Sequence, residues 1–139
     1  MEPAARHLIF HATVVLLVGL LCGAPYGRAI LRKLPEHIVH SWRVAHLSLP
    51  LGATLMLAVS GVLSLLAVTA SVKWTIAIAL IVSSYAFCFS LTLAPLVGHR
   101  GLSVNGSSSA KAVYAGNILG SLASLLAAVV LLYAGFVSL

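Results

Sequence analysis

An ionisable ring, His46, lies where the segment Trp42-Arg43-Val44-Ala45-His46 runs into a long apolar stretch. Placing a polar or charged side chain inside a bilayer costs about 2 to 3 kcal/mol, so an intramembrane histidine marks a candidate functional site. Imidazole is a common ligand of metals and of haem iron, and this is the chemistry that we consider first. The alternative is a histidine at the membrane interface that reaches toward water and has no further role.

The connection between the third and fourth spans is expected on the same side of the membrane as His46. Arg43 and Arg100 would put two guanidinium groups beside one imidazole, which is what the two propionates of a haem require. His99, next to Arg100, is also expected within reach of His46. These residues predict a site that binds a haem.

A polar stripe follows one face of the last apolar segment, where Tyr114, Asn117, Ser121 and Ser124 recur every three or four residues. Packing and hydrogen bonding between helices explain most such stripes, and only Asn117, as a buried amide, is a candidate for contacting a substrate. Carboxylate pairs and Ser-His-Asp triads are excluded, because the chain has no aspartate and only two glutamates.

The composition places these residues in an integral membrane protein. Hydrophobic residues make up 61% of the chain and charged residues 7%, and the mean hydropathy is +1.13. A soluble domain would leave too much of this apolar surface in water. The net charge of +6 is spread through short connections and forms no basic run interleaved with aromatic residues, so a nucleic-acid partner is not expected.

Apolar runs and turn residues predict one domain over residues 1–139, an all-α antiparallel bundle of four transmembrane helices. The spans are expected at about residues 8–24, 42–70, 74–97 and 110–139. The cluster Pro25-Tyr26-Gly27 is expected to end the first span, and residues 28–41 to form a polar connection. The excess of basic residues in the first and third connections predicts that both face the cytoplasm. We expect the bacterial inner membrane.

The chain resembles the styrene oxide isomerase family, whose members are small four-span membrane enzymes that hold haem b. Trp42-Arg43-Val44-Ala45-His46 is similar to the family's W-x-x-A-H segment, and Arg100-Gly101-Leu102 is similar to its N-R-G-L segment. His11 followed by Gly23 in the first span adds to the resemblance. A vaguer likeness is to the hydroxylaminobenzene mutases, which also have a Leu-rich first span that ends in a Gly-containing turn.

The resemblance implies that His46 is the axial ligand of a ferric haem b, with Trp42, Arg43, His99 and Arg100 around it. The iron would act as a Lewis acid on a small hydrophobic aryl epoxide that enters from the bilayer, and a 1,2-hydride shift would give an aldehyde. The resemblance also implies a homotrimer. The glycine pairs in the first and last spans are compatible with such an assembly.

Three positions depart from the family pattern. Gly52 stands where relatives carry asparagine, Leu91 where they carry tyrosine, and His99 where they carry asparagine. If His99 bound the iron opposite His46, no coordination site would remain open for a substrate. Substrate positioning is expected to pass to polar residues of other helices: Tyr85, Tyr114 and Asn117.

Three other functions stay open from the sequence. One is a hydroxylaminoarene mutase-type isomerase. Another is a non-catalytic haem protein for electron transfer or sensing. The last is a membrane scaffold or small transporter without a cofactor.

Overall fold

The computed structural model describes all 139 residues, and its regular secondary structure is entirely helical. The helices are α1 (Pro3–Leu21), α2 (Gly23–Leu31), α3 (Glu36–Leu63), α4 (Ala70–Val97) and α5 (Ser108–Val137). Taken together, α1 and α2 form one apolar segment of 29 residues, so that four segments are long and apolar enough to cross a membrane. The predicted all-α fold with four transmembrane helices is confirmed.

Helical structure continues through Pro25-Tyr26-Gly27, where the sequence predicted the first span to end. Pro25 is the third residue of α2, and the N–H groups in the first turn of a helix have no acceptor within it. A proline at that place therefore costs no backbone hydrogen bond, and Cys22 alone separates the two helices. Most of the predicted polar connection is likewise helical, since only residues 32–35 lie between α2 and α3.

The second predicted span also has different limits. It was expected to reach about residue 70, but α3 ends at Leu63. Residues 64–69 reverse the chain into α4, and Thr69 precedes that helix in an extended conformation. An antiparallel hairpin needs such non-helical residues, because a continuous helix cannot turn back on itself.

Helix α4 lies at the centre of the bundle. It packs against α1, α3 and α5, and α1 also packs against α3. Helix α5 contacts no helix other than α4. Because α3 and α5 flank α4 without touching each other, a gap remains between them along α4.

Small side chains form most of the contacts between helices. Leu8, Met56, Leu63 and Ile76 are the largest fully buried side chains of the main core, and alanines fill much of the rest. Most large aliphatic side chains instead point outward. This arrangement suits a bilayer, where helices associate through close packing because lipid tails are as apolar as leucine.

The glycines of α5 are used for packing inside the protomer. A Cβ atom at Gly116 would lie 2.9 Å from Ser90 Cβ, and one at Gly120 would lie 2.9 Å from the Phe87 ring. Both glycines therefore let α5 approach α4. The sequence analysis took these glycines as compatible with a trimer. Because α4 of the same chain already covers them, they do not support contacts between chains.

Replacing Gly116 by alanine is expected to lower the midpoint of thermal unfolding in detergent. The added Cβ would meet Ser90 Cβ at 2.9 Å and the Ala86 carbonyl oxygen at 3.3 Å. Overpacking of this kind costs about 1 to 3 kcal/mol. Gly61→Ala is the matched control, since no atom lies within 4 Å of its added Cβ and alanine is the better helix former. Equal midpoints for the two variants would contradict this packing.

Candidate functional site

His46 projects from α3 against the junction between α1 and α2. Its Nδ1 lies 2.9 Å from the carbonyl oxygen of Gly19, and its ring centroid lies 6.1 Å from that of Tyr26. Because a carbonyl only accepts hydrogen bonds, Nδ1 is the protonated nitrogen of the neutral ring. Nε2 therefore keeps its lone pair, which is the state in which imidazole binds a metal.

Two glycines shape the site of this ring. A Cβ atom at Gly19 would overlap the Pro50 ring and lie 2.9 Å from Leu49 Cβ, so α1 approaches α3 more closely than a side chain would allow. A Cβ atom at Gly23 would lie 3.0 Å from His46 Cε1. The glycine spacing of one helical turn thus brings a backbone carbonyl within reach of the imidazole and leaves room for the ring itself.

This site offers one protein ligand. The structure contains no group of three or more His, Cys, Asp or Glu side chains that could hold a bare metal ion. A haem iron takes four ligands from the porphyrin and needs only one or two from the protein. A partly buried imidazole with one fixed N–H and one free nitrogen fits that requirement.

A second polar site lies near the start of α3. Arg43 Nη2 is 3.1 Å from His40 Nδ1, and Arg100 Nη2 is 3.4 Å from His40 Nε2. We call His40, Arg43 and Arg100 the basic cluster. No carboxylate joins it, because the only ion pair of the structure links Lys73 to Glu2 at the opposite end of the bundle.

Asn117 fixes the turn that carries Arg100. Its side-chain nitrogen donates to the carbonyl oxygens of Arg100, at 3.3 Å, and Gly101, at 3.2 Å. Gly101 has a φ of +64°, and a Cβ atom there would lie 2.9 Å from the backbone nitrogen of Tyr114. Only glycine fits this conformation and this contact. Asn117 therefore positions the loop between α4 and α5 against α5.

Two adjoining cavities lie between α3, α4 and α5, and the first reaches His40 and Arg100 of the basic cluster. The first has a volume of about 420 Å³, and its lining includes His40, Arg100, Tyr114 and Asn117. The second, which we call the groove, has a volume of about 710 Å³ and lies in the gap between α3 and α5. The two cavities share three lining residues: Val44, Phe87 and Leu91.

The groove contains two of the positions that depart from the family pattern. Gly52 and Leu91 both line it, and no atom lies within 4 Å of where a Gly52 Cβ would be. Neither residue brings a polar side chain. The hydrogen-bonding groups of the groove are instead hydroxyls, among them those of Ser48, Ser83 and Ser84.

His46 and the groove lie on different faces of α3. Val44, Ser48 and Leu51 line the groove at helical spacing. His46 is displaced by about 200° around the helix from Val44. Neither cavity has His46 in its lining. Within a single chain, His46 therefore lies away from the cavity residues that we predicted to work with it, namely Arg100, Tyr114 and Asn117.

Three other predicted site residues line neither cavity: Tyr85, His99 and Trp42. The Tyr85 hydroxyl is 2.9 Å from Nδ1 of His11. His99 lies in the loop between α4 and α5, and its buried Nδ1 has no hydrogen-bond partner. Trp42 packs against an apolar cluster that includes Leu49. The roles of these residues, and of Arg43 and Arg100, toward a haem or a substrate stay predictions.

Sequence reasoning missed two contributors. We assigned His40 to a polar connection, but it lies near the start of α3 and touches both arginines of the basic cluster. The three-residue spacing of His40 and Arg43 was the one available indication, since it places them on one helical face. The Gly19 carbonyl gives no such indication, because a backbone acceptor is not visible in residue types.

Comparison with known proteins agrees with the sequence motifs. No curated protein matches the chain. The sequence does match the family described as styrene oxide isomerase over residues 4–136, which is nearly its whole length. This match confirms the resemblance drawn from the segments around His46 and Arg100 and supports an isomerase-like function. The chain belongs to the styrene oxide isomerase family.

Proposed function

We propose that the protein is a haem-b-dependent membrane isomerase that converts a small hydrophobic aryl epoxide into an aldehyde. Family membership supports the isomerase class. The observation that carries the haem is the His46 ring, whose Nδ1 donates to the Gly19 carbonyl oxygen at 2.9 Å. Such a bond fixes the tautomer and orients the ring.

The residues around His46 fit a haem ligand. Nε2 is available, and Gly23 leaves the ring uncovered by a side chain of α2. When bound there, ferric haem would supply a Lewis acid for the epoxide oxygen, so that a 1,2-hydride shift gives the aldehyde with no net redox change. His46 would hold the iron through a single bond from the protein.

The apolar surroundings would contribute by excluding water. Water would capture a benzylic cation as a diol, and a dry site leaves the hydride shift as the available outcome. The groove provides such a surface, since Leu51, Leu55 and Phe87 line it without any charged side chain. It also opens toward the bilayer, from which a hydrophobic substrate would enter.

A homo-oligomer is part of the proposal. His46 and the groove of one chain lie on different faces of α3, so a second copy would have to bring an apolar wall to the ring. The trimer implied by the family resemblance would supply that wall. We place the assembly in a bacterial inner membrane, with the basic end of the bundle in the cytoplasm.

Absorption spectroscopy of the purified protein, followed by an assay with styrene oxide, tests the proposed function. We expect a Soret band of high-spin ferric haem and formation of phenylacetaldehyde without added redox cofactor. Two deuterium atoms on the terminal epoxide carbon should both be retained, one on the aldehyde carbon and one on the adjacent benzylic carbon. A low-spin spectrum with two imidazole ligands and no turnover would indicate an electron-transfer or sensing protein. Protein that stays colourless after reconstitution with haem would overturn the proposal.

Replacing His46 by alanine is expected to abolish haem retention and to reduce turnover to background, because the iron would lose its protein ligand. The ratio of Soret absorbance to protein measures the effect. His37→Ala is the control, since His37 is an exposed histidine on the same helix. Equal haem content in both variants would show that another residue binds the iron.

Replacing Gly23 by alanine should weaken haem binding by about tenfold, because loss of an outer-shell constraint on a metal ligand has effects of this size. The added Cβ would lie 3.0 Å from His46 Cε1 and displace the ring from the Gly19 carbonyl. Gly27→Ala tests the same change one turn later, where no atom lies within 4 Å. Haem titration measures both. The prediction fails if Gly27→Ala weakens binding as much as Gly23→Ala.

A further inference from the structure

One hydroxyl group of the groove makes no hydrogen bond within the chain. We propose that this group, on Ser48, donates a hydrogen bond to the substrate oxygen and positions the substrate from the middle of α3. This inference rests on the proposed function, in which the groove is the substrate surface. The residues that the sequence predicted for substrate positioning, Tyr85, Tyr114 and Asn117, do not line the groove.

The hydroxyl groups of the groove differ in their hydrogen bonding. Five of the side chains that line the groove carry a hydroxyl, and four of these donate to a carbonyl oxygen or a thioether within 3.0 Å: Thr54 to Pro50, Ser83 to Gly120, Ser84 to Met56 and Ser124 to Ser121. The fifth is Ser48, whose hydroxyl meets no acceptor of the chain. It is therefore the one groove hydroxyl that a ligand can use without displacing an existing bond.

The free state of Ser48 contrasts with its neighbours on the same helix. A hydroxyl on a helix ordinarily donates to a carbonyl oxygen of the preceding turn. Ser41 and Thr54 do so on α3, with acceptors four residues earlier at 2.8 and 2.9 Å. Ser48 lies between them, leaves the corresponding bond unmade and is exposed toward the groove. Its O–H is thus available to an acceptor outside the chain.

Ser48 lies far from both ends of its helix. Helix α3 rises roughly 18 Å from Glu36 to Ser48 and roughly 22 Å from Ser48 to Leu63. A hydrocarbon core of about 30 Å therefore covers the level of this residue. In such a medium an unpaired hydroxyl costs free energy, and a hydrogen bond is electrostatically stronger than in water. The oxygen of a hydrophobic substrate would supply the missing acceptor.

Open space adjoins this hydroxyl. Gly52 lies one turn further along α3 and also lines the groove, and no atom lies within 4 Å of where its Cβ would be. Leu51, Leu55 and Phe87 provide apolar surface around it. An aryl ring can therefore lie beside Gly52 while its oxygen-bearing group reaches Ser48.

A hydrogen bond from Ser48 suits the opening of an epoxide. The epoxide oxygen keeps a lone pair for such a donor when it binds a Lewis acid, and the bond strengthens as negative charge develops on the oxygen. Ser48 keeps its proton throughout. Because Ser48 and His46 lie on different faces of α3, the two residues that share a substrate would come from two chains of the proposed oligomer.

Isothermal titration calorimetry of the purified full-length protein with acetophenone and α-methylstyrene tests this hydrogen bond. The two molecules have nearly the same shape, but only acetophenone has an oxygen acceptor. We expect Ser48→Ala to weaken acetophenone binding about fivefold, the effect of one neutral hydrogen bond, and to leave α-methylstyrene binding unchanged. Ser48→Thr retains the hydroxyl and should bind acetophenone as the unmodified protein does. Ser64→Ala is the control, since it removes a hydroxyl at the end of α3 outside both cavities. Equal acetophenone affinities for Ser48→Ala and Ser64→Ala would overturn the proposal.

Replacing Gly52 by leucine should weaken the binding of both molecules, because the added side chain would occupy the place of the aryl ring. Gly61→Leu makes the same change on the same helix, where no atom lies within 4 Å of the added Cβ and the position lies outside the groove. If the two variants bound acetophenone equally, the ligand would lie elsewhere and the proposal would be wrong.

The same titrations in the His46→Ala background separate this inference from the proposed function. An effect of Ser48→Ala that persists there supports the role of Ser48 even if the protein proves not to be an isomerase. With styrene oxide, Ser48→Ala should lower kcat/KM about fivefold at an unchanged ratio of Soret absorbance to protein. An isomerase whose kcat/KM is unaffected by Ser48→Ala would contradict the role of Ser48 and leave the proposed function intact. Loss of the oligomer in Ser48→Ala with unchanged acetophenone binding would show that the hydroxyl joins chains instead.

Discussion

The close approach of α1 to α3 at Gly19 is the contact on which the candidate haem site depends. Without a side chain at that position, the Pro50 ring and Leu49 lie directly against the α1 backbone. The Gly19 carbonyl then comes within 2.9 Å of His46 Nδ1. A single steric condition therefore sets the distance between two helices, the tautomer of the imidazole and the nitrogen that remains free.

The central place of α4 has a different consequence. Because α5 contacts only α4, the bundle leaves α3 and α5 apart and creates the groove between them. A soluble four-helix bundle would close such a gap to bury apolar surface, whereas lipid tails can fill it in a bilayer. The groove and the His46 ring thus occupy different faces of α3.

The His46 site and the basic cluster differ in their chemistry. His46 has one fixed N–H and one free nitrogen, which suits a cofactor that brings its own equatorial ligands. The basic cluster has several hydrogen-bond donors and no carboxylate partner. Asn117 connects the second site to the fold, since it holds the Arg100 turn against α5. Polar residues that look alike along the sequence therefore lie in different surroundings.

Composition and apolar periodicity determined the membrane class and the four helices, because these properties depend on residue type along one helix. Residue type does not reveal which neighbour a helical face meets. Only the tertiary structure showed that Pro25 lies in the first turn of α2 and that the glycines of α5 pack against α4 of the same chain. It also showed that His40 contacts Arg43 and Arg100. It also separated His46 from the pocket residues. These features depend on helix rotation and interhelical distance, which contacts between distant parts of the chain decide.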